Sequence, residues 1–430
     1  MPPVNTRQDL TACGFAGLSL YRGQRLCLIF PMTLWKIKRP IHVTCARAIT
    51  PFLRQELLAL GFPVFSETAA AVETEGTLWD SVRLNLHLRT GHHVLYLLGE
   101  FRSRDADALY RSLSRLPWED YLPPGGYFSV ASSVQNPTIR DSRYANVRCK
   151  DAIVDRIRQK TGSRPDAGSS RREAVLYLFW KDDLCRIYAD TSGEPLSRRG
   201  YRKIPLKAPM QETLAAAVVM ATGWDGRGPF VNPMCGSGTI AIEAALIALD
   251  RAPGLLRDNF GFMHLLGFDE AGYRLIREKA RRVSKKLPSG RIIASDISPD
   301  AVDASRRNAA TAGVEKILEF ALCDFSQTPV PDGEGGVVVF NPEYGERLGE
   351  REKLEGVYEA IGDFFKKKCQ GYRGYIFTGN LDLAKKVGLR TRRRTPFFNS
   401  NIECRLLEYE LYEGSRRRPK DPPSPSGEEG

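Results

Sequence analysis

Residues 230–245 constrain this chain more than any other stretch. The apolar run Phe230-Val231 ends in Asn232-Pro233, passes through Met234-Cys235-Gly236-Ser237-Gly238, and continues from Thr239 with apolar residues at helical spacing through Ala245. That order predicts a strand, a glycine turn and a helix. Glycine suits such a turn because it adopts positive φ and lets a ligand approach the backbone with no Cβ in the way. The amides that open the helix favour an anionic or polar ligand group. About a hundred residues on, Val337-Val338-Val339-Phe340 ends in Asn341-Pro342-Glu343-Tyr344-Gly345-Glu346-Arg347-Leu348. This second strand is expected to deliver an amide, a rigid proline carbonyl and an aromatic ring to the same sheet edge. An α/β fold follows from the pair.

The length of 430 residues allows two to three domains with full cores. A formal charge of +12 and a pI near 9.3 favour a polyanionic partner, with nucleic acid the natural candidate. The nine cysteines are odd in number and scattered, with no Cys-x-x-Cys pair, which fits a reducing cytosol and excludes a zinc ribbon. No metal-ligand spacing is found among the five histidines, and His92-His93 reads as a polar strand edge. No apolar run reaches the roughly 20 residues of a membrane-spanning helix. The expectation is a soluble, cytoplasmic protein with no metal.

Along the chain, strands are expected at 41–45 and 64–68, with a helix from Thr50 to Leu60 between them. Acidic turns and a helix from Thr77 to Leu88 follow. A strand at 94–98, a helix from Asp105 and a strand at 127–132 lead into a basic helical stretch. Its Ala152, Ile153 and Ile157 mark one core face, while Arg140, Arg143, Arg148, Lys150, Arg156, Arg158 and Lys160 mark a cationic one with Tyr144 among them. Arg171 and Arg172 stand in the next exposed turn, before a hairpin at 174–189. Between the glycine turn and the next strand, residues 251–269 form an insertion followed by an extra helix. It displaces the ribose-binding carboxylate from its usual spacing, so Asp296 at a strand end is the candidate and Asp269 the runner-up. Residues 385–394 read as surface charge or an extension of a basic track.

The two motifs, Asn232-Pro233-Met234-Cys235-Gly236-Ser237-Gly238-Thr239 and Asn341-Pro342-Glu343-Tyr344, resemble those of the THUMP-domain RNA guanine-N2 methyltransferases. The likeness is greatest to the bacterial large-subunit (23S) rRNA enzymes in a single-methyltransferase form. It extends over about 41–412. It implies a ferredoxin-like domain at 40–90, a THUMP RNA-binding domain at 91–196 and a Rossmann-like class I methyltransferase domain at 197–412. Residues 1–39 stay unassigned, with Met32 the expected natural start and the stretch before it non-native, and 413–430 read as a disordered tail. The linker Ser192-Gly193 to Leu196 and Arg199-Gly200-Tyr201-Arg202 resembles the family's own, with Ser197 where histidine is common.

The resemblance implies S-adenosyl-L-methionine as cofactor, held by Asn232, Pro233, Cys235, Gly236, Ser237, Gly238, Thr239 and Asn341. Asp296 with Ile297 would meet the ribose, and Asp324 with Phe325 the adenine. For catalysis, the Asn341 amide oxygen and the Pro342 carbonyl would accept the hydrogens of an exocyclic amine while Tyr344 stacks on a flipped base. Glu343 departs from the family's proline and faces the same pocket, where a carboxylate would favour guanine, whose N1-H and N2-H are both donors. The implied partner is RNA: 23S rRNA or a large-subunit precursor particle, gripped through Arg140, Arg143, Arg148, Lys150, Arg156, Arg171 and Arg172. A tRNA guanine-N2 enzyme, a DNA adenine-N6 enzyme and a non-catalytic RNA-binding protein remain as alternatives.

Overall fold

The computed structural model describes residues 31–204, 206, 210–284, 290–333, 335–344 and 351–412. The expectations for the residues before 31, for the tail from 413 and for the Gly345 to Leu348 end of the second motif lie outside the described residues.

The first half folds as β1 (Arg39–Cys45), α1 (Thr50–Ala59), β2 (Ser66–Glu67), β3 (Ala71–Gly76), α2 (Leu78–His87), β4 (Gly91–Arg102), α3 (Ala106–Leu113), β5 (Tyr127–Gln135), α4 (Ser142–Thr161), β6 (Asp166–Gly168), β7 (Ala174–Lys181) and β8 (Leu184–Asp190). These strands form one sheet of eight in the order β2-β3-β1-β4-β8-β7-β5-β6. Strand β4 pairs antiparallel with β1 on one side and β8 on the other, so the two lead-in units share a sheet.

Two local expectations change. The strand expected at 64–68 shrinks to Ser66–Glu67, and the acidic turns after it are strand β3. There Val72, Thr74 and Gly76 are buried while Glu73 and Glu75 take the other face. The acids are the outward half of a period-two pattern, which composition alone disguises as a turn. Helix α2 is held at its start by a reciprocal cap, the Asp80 amide donating to Thr77 Oγ1 (3.1 Å) and the Thr77 amide to Asp80 Oδ2 (2.9 Å). In α4, Ala145, Cys149, Ala152, Ile153 and Ile157 are buried, which leaves the cations outward.

The second half adds α5 (Glu212–Ala221), β9 (Phe230–Pro233), α6 (Thr239–Ala248), α7 (Glu270–Val283), β10 (Ile292–Asp296), α8 (Pro299–Thr311), β11 (Leu318–Leu322), β12 (Val337–Phe340), α9 (Arg351–Lys368), β13 (Arg373–Thr378), α10 (Leu381–Lys385), β14 (Arg393–Asn399) and β15 (Ile402–Glu410). The sheet order is β11-β10-β9-β12-β13-β15-β14, parallel except that β15 runs antiparallel to both its neighbours. All four residues of β12 are buried, as expected of a strand covered on both faces. The chain builds outward from β9 through β10 to β11 and then returns to place β12 on the other flank of β9. A crevice opens at that reversal, beyond the carboxyl ends of the strands. Of the basic run before residue 395, Arg393 and Arg394 begin the edge strand β14 and are exposed there.

The insertion at 251–283 docks the two halves together. Trp35, inside the stretch left unassigned from sequence, is buried and donates its indole N–H to the Leu266 carbonyl (2.9 Å), with Trp79 and Phe268 around it. Arg257 donates to the carbonyls of Ser192, Glu194 and Pro195. The expectation that His92-His93 is a simple strand edge is also revised. His92 Nε2 lies 2.9 Å from Thr213 Oγ1 of α5, and His93 Nδ1 lies 2.8 Å from Asp190 Oδ2. Burial, with His93 and Arg199 adding like charge, pushes His92 down to about 4. An unfolded chain protonates this histidine near the ordinary 6.5, so it binds the proton first as pH falls. The His92 contribution is therefore full above pH 6.5 and lost between 6.5 and about 4, amounting to ~3 kcal/mol at most. Thermal melts at pH 7.5 and 5.0 should show a smaller drop for His92→Gln than for the parent, and an equal drop would refute the assignment.

Candidate active site at the sheet's switch point

The first motif leaves β9 through three residues at positive φ: Met234 (53°), Gly236 (55°) and Gly238 (81°). Gly238 is required twice over. It occupies the left-handed region, and an added Cβ would sit 2.1 Å from Ser305 Oγ of α8. A Cβ on Gly236 would meet nothing within 4 Å, so that side of the turn is open. Asp296 at the end of β10 pins the turn, its Oδ2 accepting the Gly236 amide (2.9 Å) and its Oδ1 the Ser298 amide (3.0 Å).

Two residues that sequence reading missed complete the support. Asn308 donates to the Ser237 carbonyl (3.1 Å) and accepts the Lys203 and Ile204 amides, and Ser305 closes against Gly238. Both are fully buried on one face of α8, three residues apart. A serine and an asparagine at that spacing in a helix with buried alanines were the available signal, since buried polar groups need partners. Arg202 of the linker donates to Thr239 Oγ1 (3.2 Å) and the Met210 carbonyl (2.6 Å) and pairs with Glu212 at 3.4 Å. The start of α5 thereby joins the first turn of α6.

Several expected cofactor residues prove to be structural in part. Asn232 is buried, and its Nδ2 donates across to the Val339 carbonyl (2.8 Å), strapping β9 to β12. Its Oδ1 is buried and unpaired among the described residues. Pro233 is buried beside it. Burial and the Asp296 charge push the Cys235 thiol up to about 12, so it is a neutral, inert group at pH 7. The Ser237 and Thr239 hydroxyls stand 3.4 Å apart. Ile297 is 69% exposed next to Asp296. Asp324 caps the short turn after β11, its Oδ1 accepting from the Ser326 amide and hydroxyl, with the Phe325 ring set edge-on against Phe340. Asp269, the runner-up for the ribose, caps α7 instead (2.8 Å separates its Oδ2 from a Cβ built on Gly272, beside Trp79) and so belongs to the docking seam.

The second motif ends β12 one strand away. Pro342 is buried, Glu343 exposed, and Asn341 and Tyr344 half-buried. The Tyr344 hydroxyl donates to Asn341 Oδ1 (3.0 Å), and its ring lies 6.3 Å from that of Phe377. Burial raises the Tyr344 phenol far above its ordinary range. Asn380 Nδ2 donates to the Tyr344 carbonyl (3.1 Å), and Tyr358, itself bonded to Thr378, donates to the Glu343 carbonyl (3.4 Å). The structure thus brings Asn341 and Tyr344 together, but with the ring turned inward and its hydroxyl on the amide oxygen.

The expected RNA contacts divide. Arg143 pairs with Asp141, Arg148 with Asp107 while lying over Tyr110, and Arg156 with Glu119, and Lys150 donates to the Gly168 carbonyl. Arg140, Arg158 and Arg172 are exposed with no ion-pair partner among the described residues. Arg171 is half-buried. Among the described residues no cluster of three or more His, Cys, Asp or Glu side chains could hold a metal, and no helix is long and apolar enough to cross a membrane.

Comparison with known proteins adds to this geometry. Residues 40–95 match the RlmL ferredoxin-like domain, 103–190 the THUMP domain and 199–408 the RMKL-like methyltransferase domain. The ribosomal RNA large subunit methyltransferase K/L of Syntrophotalea carbinolica is 38% identical over 86% of this chain and 53% of its own length. The chain spans about half the length of the curated K/L relatives it matches. A Synechocystis protein named "Putative RNA methyltransferase" is 32% identical over 87% of this chain and 97% of its own. Among solved structures, SMU.472, described as "a putative methyltransferase complexed with SAH", superposes with a TM-score of 0.80 at 28% identity, covering 88% of this chain and 100% of its own.

Proposed function

Because the chain belongs to the THUMP-containing, RMKL-like methyltransferase family, we propose that it transfers a methyl group from S-adenosylmethionine to the exocyclic N2 of a guanine in large-subunit (23S) rRNA. The observation that carries this reading is the strap between Asn232 and the Val339 carbonyl, which holds the glycine turn and the Asn341 motif on adjacent strands at one edge. The cofactor fits the residues present. Gly236 offers an open backbone, Asp296 a carboxylate with lone pairs to spare for ribose hydroxyls, and Ile297 and Phe325 apolar surface near Asp324 for the adenine. Bound there, S-adenosylmethionine supplies an activated methyl group on a sulfonium.

The protein's own part is orientation. The N2 amine of guanine is a weak nucleophile because its lone pair is delocalised into the ring. Asn341 Oδ1 and the Pro342 carbonyl accept its two hydrogens and turn the lone pair out of the ring plane. For this the Tyr344 hydroxyl leaves Asn341 Oδ1 and the ring turns to stack on the flipped base. Glu343, exposed at the mouth, accepts the guanine N1-H, which adenine lacks. The spare proton passes to solvent after transfer.

The test is methyl transfer from radiolabelled S-adenosylmethionine to total RNA, with the products separated and digested to nucleosides. Label as N2-methylguanosine in large-subunit rRNA is expected. Label in tRNA, or as N6-methyladenosine in any nucleic acid, overturns the reading. Glu343→Pro should erode the preference for guanine over adenine, and an unchanged preference would remove Glu343 from base selection.

A further inference from the structure

We propose that Arg47 and Phe398 form a phosphate-binding site for the RNA backbone next to the target nucleotide, built jointly by the ferredoxin-like and catalytic domains. This rests on the RNA-methylating reading above. The Arg47 guanidinium lies 4.1 Å from the centroid of the Phe398 ring. Arg47 stands in the turn between β1 and α1, beside Ala48 at a φ of 67°, and Phe398 stands near the end of β14. Behind them Phe52 of α1 stacks on Phe397 at 5.8 Å, and Phe397 in turn meets Phe377, so the two domains touch along a short aromatic seam.

Three observations point to a ligand. Arg47 is exposed and has no ion-pair partner among the described residues, whereas Arg143, Arg148 and Arg156 of the expected RNA track each have a carboxylate. A planar cation stacked on an aromatic face has its rotamer fixed while its N–H edge stays free, which suits a phosphate oxygen. The site is also close to the chemistry. Ile402, Cys404 and the Tyr344 ring all crowd Gly379, and Ile402 and Cys404 pair across the sheet with Asn399 and Phe397, the residues on either side of Phe398. A backbone phosphate held by Arg47 would thus flank the nucleotide that reaches Asn341. The aromatic seam makes the contact depend on correct docking of the lead-in domain.

The experiment measures binding of in-vitro transcribed 23S rRNA by filter retention over a range of salt, alongside steady-state methylation, SAH affinity and thermal melting of the whole chain. Arg47→Ala should weaken RNA binding about 5–10-fold and lower the log–log salt slope by about 0.7–1. KM for RNA should rise by a similar factor with kcat within about twofold, and SAH affinity and melting should match the parent. Arg47→Lys keeps the charge and should restore the salt slope. Phe398→Leu removes the stacking face and should give an intermediate loss. An unchanged slope and affinity for Arg47→Ala, or a loss that Arg47→Lys fails to relieve, overturns the site. A parent protein that binds 23S rRNA with an Arg47-dependent slope yet methylates no RNA would sink the catalytic reading and leave the phosphate contact standing. Failure to bind 23S rRNA at all would end both.

Discussion

Asn341→Ala is expected to lower kcat for methyl transfer about 10²–10³-fold, the usual cost of deleting one pre-oriented polar group at a reacting centre. The oxygen removed is the one that the Tyr344 hydroxyl reaches at 3.0 Å, at the end of a fully buried strand. Its position is set by β12 and by the bonds from Asn380 and Tyr358 to the following backbone, so the loss should be chemical and not architectural. SAH affinity should stay within a few-fold and thermal melting should hardly move. Tyr344→Phe is the paired control. It frees Asn341 Oδ1 while keeping a stacking ring, so kcat should remain within about tenfold of the parent. A loss below tenfold for Asn341→Ala, measured as single-turnover methylation, would take the amine-orienting role away from this residue.

The largest effect on stability is expected at the buried pair of Arg199 and Glu243. The two side chains are 1% and 0% exposed with their charged atoms 3.5 Å apart. Arg199 also donates to the carbonyls of Leu196 (2.8 Å), Leu88 (3.5 Å) and Arg89, while the Tyr201 hydroxyl donates to Glu243 Oε1 (3.1 Å). One guanidinium therefore joins the end of α2, the linker and α6. Removing either partner leaves a buried charge uncompensated, and Glu243→Leu should cost about 3–5 kcal/mol. The Arg199→Met/Glu243→Leu double variant should recover part of that loss, because neither charge of the pair is then left unpartnered. Urea unfolding of the single and double variants measures it, and strict additivity of the two losses would show that the pair is not coupled.

The catalytic half was legible because its signals are local. Each motif ends an apolar run, and a run buried on both faces announces a parallel strand with the motif at its tip. Asp296 could be chosen over Asp269 from a strand end followed by a helix start, and its bond to the Gly236 amide places it against the glycine turn. What failed locally were patterns with two meanings. The glutamates of β3 read as a turn because their buried partners are only Val72, Thr74 and Gly76. The basic run at 385–394 reads either as surface charge or as an extension of a basic track; Arg393 and Arg394 are exposed on the edge strand β14, where Glu408 on the neighbouring strand gives Arg393 a partner at 2.9 Å.

Local sequence specifies the identity and order of the elements around β9 and β12, the positive-φ turn from β9 into α6 and the cationic face of α4, because these depend on neighbours a few residues apart. Packing sets the rest: the two lead-in units share one sheet through β4, and the insertion at 251–283 is a docking element. The same holds for the counter-ions of Arg148 and Arg156 and for Arg47 reaching the catalytic domain. Range is the cause: a backbone preference acts through adjacent dihedral angles, whereas Arg148 with Asp107, Arg156 with Glu119 and Arg47 with Phe398 join residues 37 or more positions apart that only packing brings within bonding distance.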